Sequence, residues 1–252
     1  MKLILAPLVA VVVLLFPACS NSSALPNDIN YPDDLYGRVI GVLYGMSSVH
    51  FAREIGFARE FHGVAQLLAA LEDGTIDAVL IESAIDLGRT PRLTRLSEPL
   101  IEYDLRIAVA KENTELLRVI DNALLTLEEN GTLPGLRRRH LAGQSFTYVP
   151  PEGIERRPGY LTVAIPHYFP PFVVPRDDGS LIGLDIGVII ALSDMFGMEF
   201  RVLQMEHDEL ITSVWFGRAD LALGFIPGEH DEEMVNFSSG YARSEQVIIV
   251  RR

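Results

Sequence analysis

Apolar and polar positions along this chain fall into two similar series of strand and helix patterns. In the second half, Leu161-Thr162-Val163-Ala164-Ile165 is apolar and β-branched and predicts a buried strand. It runs into His167-Tyr168-Phe169-Pro170-Pro171-Phe172, where two prolines forbid a helix and hold three aromatics on a loop. After a turn at Asp177-Asp178-Gly179, the stretch Gly183-Leu184-Asp185 leads to apolar residues at helical spacing from Ile186 to Phe196, ended by Gly197. A strand over Glu199 to Gln204, a helix over Asp208 to Phe216 and a strand over Leu221 to Phe225 complete a β-loop-α-β-α-β order, which predicts a mostly parallel sheet. Ligands of such sheets bind beyond the carboxyl ends of the strands. Any one of Tyr168, Phe169 and Phe172 can be core, but three together on a stiffened loop at such an end predict the wall of a pocket.

The first half repeats the scheme. Arg38 to Tyr44 is a short apolar strand, followed by Gly45-Met46-Ser47-Ser48 and a helix over Val49 to Phe57. Ser47 or Ser48 can cap that helix, and its N-terminus also offers a small anion site. A helix over Gly63 to Leu71 is followed by Gly74-Thr75-Ile76-Asp77 and an apolar strand ending at Ile81. Gly217-Arg218-Ala219-Asp220 and its strand match this, so the chain contains two similar α/β lobes. Glu82 follows directly on the first of these strands, at its carboxyl end.

The ordered set Phe169-Pro170-Pro171-Phe172, Gly183-Leu184-Asp185, Gly217 to Asp220, Val235-Asn236-Phe237-Ser238, Tyr241 and Gln246 to Val250 resembles lobe 1 of the family 3 extracellular solute-binding proteins. These are type 2 periplasmic binding proteins that serve amino-acid uptake. The first half resembles lobe 2, with Gly45-Met46-Ser47 in the place of a Gly-Thr-Thr and Glu82 in the place of an acidic residue. Tyr103 to Ala110 resembles the strand returning through the hinge, and Thr114 to Gly143 the helices that close back on lobe 1. The resemblance implies an α/β fold of two Rossmann-like lobes joined by a hinge, with Ser47 meeting a ligand's anionic group and Glu82 accepting from its amine. The family's lobe order is reversed here, which implies a circular permutation: 36–110 lobe 2, 111–143 closing helices, 144–158 a linker and 159–252 lobe 1. Two chains exchanging lobes is the alternative.

At 252 residues, with 48% apolar and 22% charged, the chain can bury one or two compact α/β units. A formal net charge of -13 argues against nucleic-acid and anionic-lipid partners. Residues 1–18 carry Lys2 and then an apolar run from Leu3 to Phe16, too short for a membrane span and expected to be a signal peptide. Cys19 is the single cysteine, so no disulfide or thiolate metal site is expected, and no cofactor. Its position resembles a lipoprotein processing site, with 19–35 as a flexible tether, which predicts a periplasmic or envelope protein held to the membrane by lipid alone.

In amino-acid-binding members of the family, an arginine in the loop after the second Gly-x-x-Asp strand clamps the ligand carboxylate. Here Asp231 takes its place, and the loop from Gly224 to Glu233 contains no arginine. Three readings stay open: a vestigial site; a cationic ligand facing Glu82 with Glu229 or Asp231; or a charge supplied by Arg243 or His167. The expected function is capture of a small polar ligand for uptake or sensing, with a transporter permease or envelope protein as partner. The alternatives are an interaction module that has lost its ligand and, with less support, a dehydratase-like enzyme on the same fold.

Overall fold

The structure is a computed structural model and describes residues 27–46, 48–88, 90–144, 146–153, 156–228 and 230–252. The expected signal peptide, Cys19, Ser47 and Glu229 lie outside the described residues. After a 3-10 turn at Pro32–Leu35 the chain forms β1 (Val39–Leu43), α1 (Ser48–Ile55), β2 (Phe57–Phe61), α2 (Val64–Glu72), β3 (Ala78–Glu82), β4 (Leu93–Arg95), β5 (Ile101–Leu105) and β6 (Ala108–Ala110). Two helices follow, α3 (Thr114–Glu129) and α4 (Thr132–Leu141). The second half forms β7 (Tyr160–Pro166), β8 (Val174–Pro175), β9 (Leu181–Ile182), α5 (Leu184–Phe196), β10 (Glu199–Met205) and α6 (Leu210–Trp215). It ends with β11 (Leu221–Ala222), α7 (Asp231–Met234), β12 (Val235–Phe237) and β13 (Ala242–Arg251).

The apolar runs pair as their pattern requires. In one sheet β1 lies between β2 and β3, all parallel; in the other β7 lies between β10 and β11, again all parallel. The sheet orders β2-β1-β3-β13-β4 and β10-β7-β11-β6-β12 are the same scheme twice, each with an antiparallel strand taken from the other half of the chain. Thus β13 belongs to the lobe 2 sheet and β6 to the lobe 1 sheet, which moves two strands across the boundaries drawn at 36–110 and 159–252.

The repeated Gly-x-x-Asp pattern has one physical cause in both lobes. Asp77 accepts from the Val39 amide at 2.9 Å and Asp220 from the Thr162 amide at 2.7 Å, each tying the start of a central strand to the turn before its neighbour. The glycines opening these turns, Gly74 and Gly217, have φ of 81° and 67°, a region that side chains disfavour. The helix expected to run to Phe57 stops at Ile55. A Cβ on Gly56 would lie 2.5 Å from the Arg38 carbonyl oxygen, so the chain turns there into β2. The helix expected over Asp208 to Phe216 is a 3-10 turn at His207–Glu209 followed by the short α6. Pairing in the strand expected to reach Phe225 ends at Ala222, and the chain bends at Gly224 (φ 80°).

One apolar cluster runs from Leu67 and Leu71 through Leu105, Ile107 and Tyr241 to Val163, Leu184 and Leu192, and includes Leu127 and Leu136 of the two middle helices. Leu136 packs so close to α5 that a Cβ on Gly187 would lie 2.7 Å from it. Arg137 also donates to the Tyr241 carbonyl at 3.0 Å, so α4 is fastened to the lobe 1 side of the crossing. The two crossings run side by side. Ser238 and Ile107 exchange two bonds of 2.9 Å, through the Ser238 amide and its Oγ, and the Tyr241 amide donates to Leu105 at 2.9 Å. Among the described residues, no helix is long and apolar enough to cross a membrane.

Candidate functional site

Glu82 ends β3 and lines a small cavity with Pro170 from the other half of the chain. Its carboxylate is buried and accepts from Tyr103 on β5 and from Ser244 (2.7 Å) and Gln246 on β13. Burial pushes its pKa up to about 7, against the pull of those three donors. Ser48, Met46 and Leu43 from lobe 2 and Pro170 from lobe 1 close over it, leaving a cavity of about 10 Å³. That is room for roughly one water molecule.

The aromatic loop does not present the wall expected of it. Phe169 and Phe172 are fully buried, with ring centroids 4.7 Å apart, while Tyr168 is half-buried. The loop folds on itself, Phe172 donating to Phe169 at 2.7 Å and Phe169 to Val173 at 2.8 Å. This turns both phenylalanines into the lobe 1 core and leaves Pro170 to meet Glu82. Behind it, Asp185 is wholly buried at the start of α5. Its Oδ1 accepts from the Tyr241 hydroxyl at 2.7 Å, its Oδ2 has no partner among the described residues, and burial pushes its pKa up to about 7.

The loop after β11 begins with apolar residues packed into the core. Phe225 and Ile226 are buried, and Asp231 accepts from the Gly228 amide of its own loop at 2.7 Å. Arg243 is paired with Glu102 at 2.5 Å on an exposed face. His167 is exposed, and its backbone carbonyl accepts from Gln204 at 3.5 Å.

The larger opening lies further out, where a cavity of about 420 Å³ is lined by both lobes. Lobe 2 supplies the loop Tyr44-Gly45-Met46, the α1 face with Val49, His50 and Arg53, and Glu60 of β2. Lobe 1 supplies Glu206, His207 and Asp208, just past the carboxyl end of β10. Tyr44 is 52% exposed and its ring lies 4.8 Å from that of His62. His207 packs edge-on to Phe169 at 6.0 Å. Its Nδ1 is shielded from solvent with no partner among the described residues, and burial lowers its pKa to about 4. No side-chain cap bond forms at the 3-10 turn that holds His207 and Asp208. Their place after a parallel strand was the signal of a site. Among the described residues, no group of three His, Cys, Asp or Glu is placed to hold a metal ion.

Residues 161–252 match the bacterial extracellular solute-binding proteins, family 3. The virulence sensor protein BvgS of Bordetella pertussis is 25% identical over 241 residues, 89% of this chain and 18% of that protein. The arginine-binding protein ArgT of Corynebacterium glutamicum is 32% identical over 88 residues, 34% of this chain and 29% of that protein. The chain therefore spans between about a fifth and a third of the length of these relatives. A phosphate-binding protein of a phosphate ABC transporter from Streptococcus pneumoniae superposes with a TM-score of 0.51 at 10% identity, covering 86% of this chain and 89% of that one, a likeness of fold alone. The two mixed α/β sheets are arranged as in the type 2 periplasmic binding proteins, and the second half of the chain, residues 161–252, is similar to the solute-binding proteins of family 3.

Proposed function

We propose that this domain closes two lobes on a small polar ligand and serves sensing outside the cytoplasm, with no catalysis of its own. The observation that carries the reading is the pair of adjoining crossings, β5 to β6 and β12 to β13, beside a cleft that both lobes line. A ligand that touches both lobes stabilises the closed form by its differential affinity. The sensor protein BvgS is similar over 89% of this chain, which favours sensing over uptake. Relative to the family's usual order the domain is permuted. Residues 1–18 export it, and a lipid on Cys19 holds it at the envelope, where a membrane protein receives the signal.

A thermal-shift panel of amines, amino acids, organic acids and sugars tests the reading. At 100 times Kd a ligand adds about 2.7 kcal/mol, roughly 5 to 10 °C for a domain of this size. A second reading, an interaction module without a small ligand, draws on the filled inner cleft, where the Glu82 acceptors already have protein donors. Silence across the whole panel would favour it.

A further inference from the structure

We propose that the ligand seat lies in the outer cleft, between the Tyr44 to Met46 loop and the Glu206 to Asp208 turn, and that it takes a small organic cation: an amine or guanidinium on an aliphatic or aromatic body. This deepens the ligand-binding reading above and rests on it. The inner position is excluded by size, because about 10 Å³ beside Glu82 admits nothing larger than water unless the lobes part. The outer cavity, at about 420 Å³, has the volume of a small-molecule site, and a molecule in it touches both lobes, which closure requires.

The charges there select the sign of the ligand. Arg53, the arginine on the wall among the described residues, is already matched by Glu60 at 2.8 Å. The carboxylates of Glu206 and Asp208 have no ion-pair partner among the described residues, and they face a lobe 2 loop whose backbone is bare at Gly45. A Cβ placed on Gly45 would come to 4.0 Å from Glu206 Oε2, which shows how near the two lobes approach at this point. Between the carboxylates, His207 stays uncharged above about pH 5 because burial holds its pKa near 4, so it does not repel a cation. Its unpartnered Nδ1 is a buried polar atom in the wall, lacking the hydrogen bond such atoms normally make. The exposed face of Tyr44 suits a cation, and Met46 and Val49 give an apolar floor for the ligand's body. An anion would meet two uncompensated carboxylates and is disfavoured.

Calorimetric titration of the full chain with agmatine, putrescine and tyramine, against acetate, glutamate and glucose, tests this. At least one of the three cations is expected to bind, with affinity falling as salt rises. The double variant Glu206→Gln, Asp208→Asn should lose at least tenfold in affinity while its circular dichroism stays unchanged. Glu232→Gln with Glu233→Gln removes the same charge from the exposed α7 and should bind as the parent does. Cation binding that survives the first double variant but is lost in Glu82→Gln would overturn the outer seat and leave the binding function standing. Binding of acetate, glutamate or glucose alone would overturn the cation. No binding by any solute would overturn both this proposal and the function it rests on.

Discussion

Asp77 and Asp220 do the same work in the two lobes, and their energetics are set by what each leaves behind. Asp220 accepts from both the amide and the Oγ1 of Thr162, at 2.7 Å each, and its own amide donates to the Thr162 carbonyl at 2.9 Å. Asp77 holds Val39 through one carboxylate bond of 2.9 Å. Removing a carboxylate strands a part-buried amide at the head of a central strand, which costs about 1 to 3 kcal/mol. Asp220→Ala is expected to lower the urea midpoint more than Asp77→Ala, by the count of bonds lost. Equal effects would mean that the turn glycines, not the carboxylates, fix the strand starts. Such pairs were legible as a repeat because glycine and aspartate stand at fixed spacing. The partners of Glu82 were not, since Tyr103, Ser244 and Gln246 lie 21, 162 and 164 positions away and only the fold assembles them. Phe169 and Phe172 show the converse: their sequence cannot say whether a stiffened loop turns its rings outward or back into the core, and burial of two large rings decided for the core.

Among elements, β13 carries the most consequences. It is the longest strand and is apolar along its second half; it pairs with β3, β4 and β5, so the lobe 2 sheet is completed by the last strand of the lobe 1 half. The central strands and most helices could be read from apolar runs and helical spacing. By contrast β2 was hidden at the end of an expected helix, and β4 is a three-residue edge strand with no distinct pattern. Glu82 sits where β3, β5 and β13 meet, and its protonation is tied to their packing. Its folded pKa, about 7, stands above the ordinary 4.5, so its contribution to stability is complete below about pH 4.5 and is lost as pH rises through 7. Asp185 beside Tyr241 has the same sign, from 3.8 up to about 7. His207, lowered to about 4, acts oppositely between pH 4 and 6.5. Comparison with Glu82→Gln cancels the last two. Between pH 5 and 8 the parent should lose up to about 3 kcal/mol relative to that variant in urea unfolding. A difference independent of pH would show that the Tyr103, Ser244 and Gln246 donors keep Glu82 ionised throughout.

At the scale of the molecule, the exchange of β6 and β13 binds the lobes into one folding unit. Neither sheet is complete without a strand from the other half, and the largest apolar cluster crosses between them. Two lobes joined only by flexible linkers would melt separately; these should melt together. Ile248 tests this because it is fully buried on β13, in the cluster with Ile40, Val42 and Leu80, on the far side of the molecule's hinge from α6. The single tryptophan, Trp215, lies on α6 in lobe 1 and is 52% exposed, so its fluorescence reports that lobe alone. Truncating a buried isoleucine costs about 2 to 5 kcal/mol. In Ile248→Ala the fluorescence midpoint in urea is therefore expected to fall, and to coincide with the midpoint by far-ultraviolet circular dichroism, which sees both sheets. A Trp215 transition that stays in place while the circular dichroism splits into two steps would show lobes that unfold one at a time. In that case β13 would be a strand that lobe 1 can lose at little cost, and the hinge bonds at Ser238 and Tyr241 would have to open without disturbing the sheet that β6 completes.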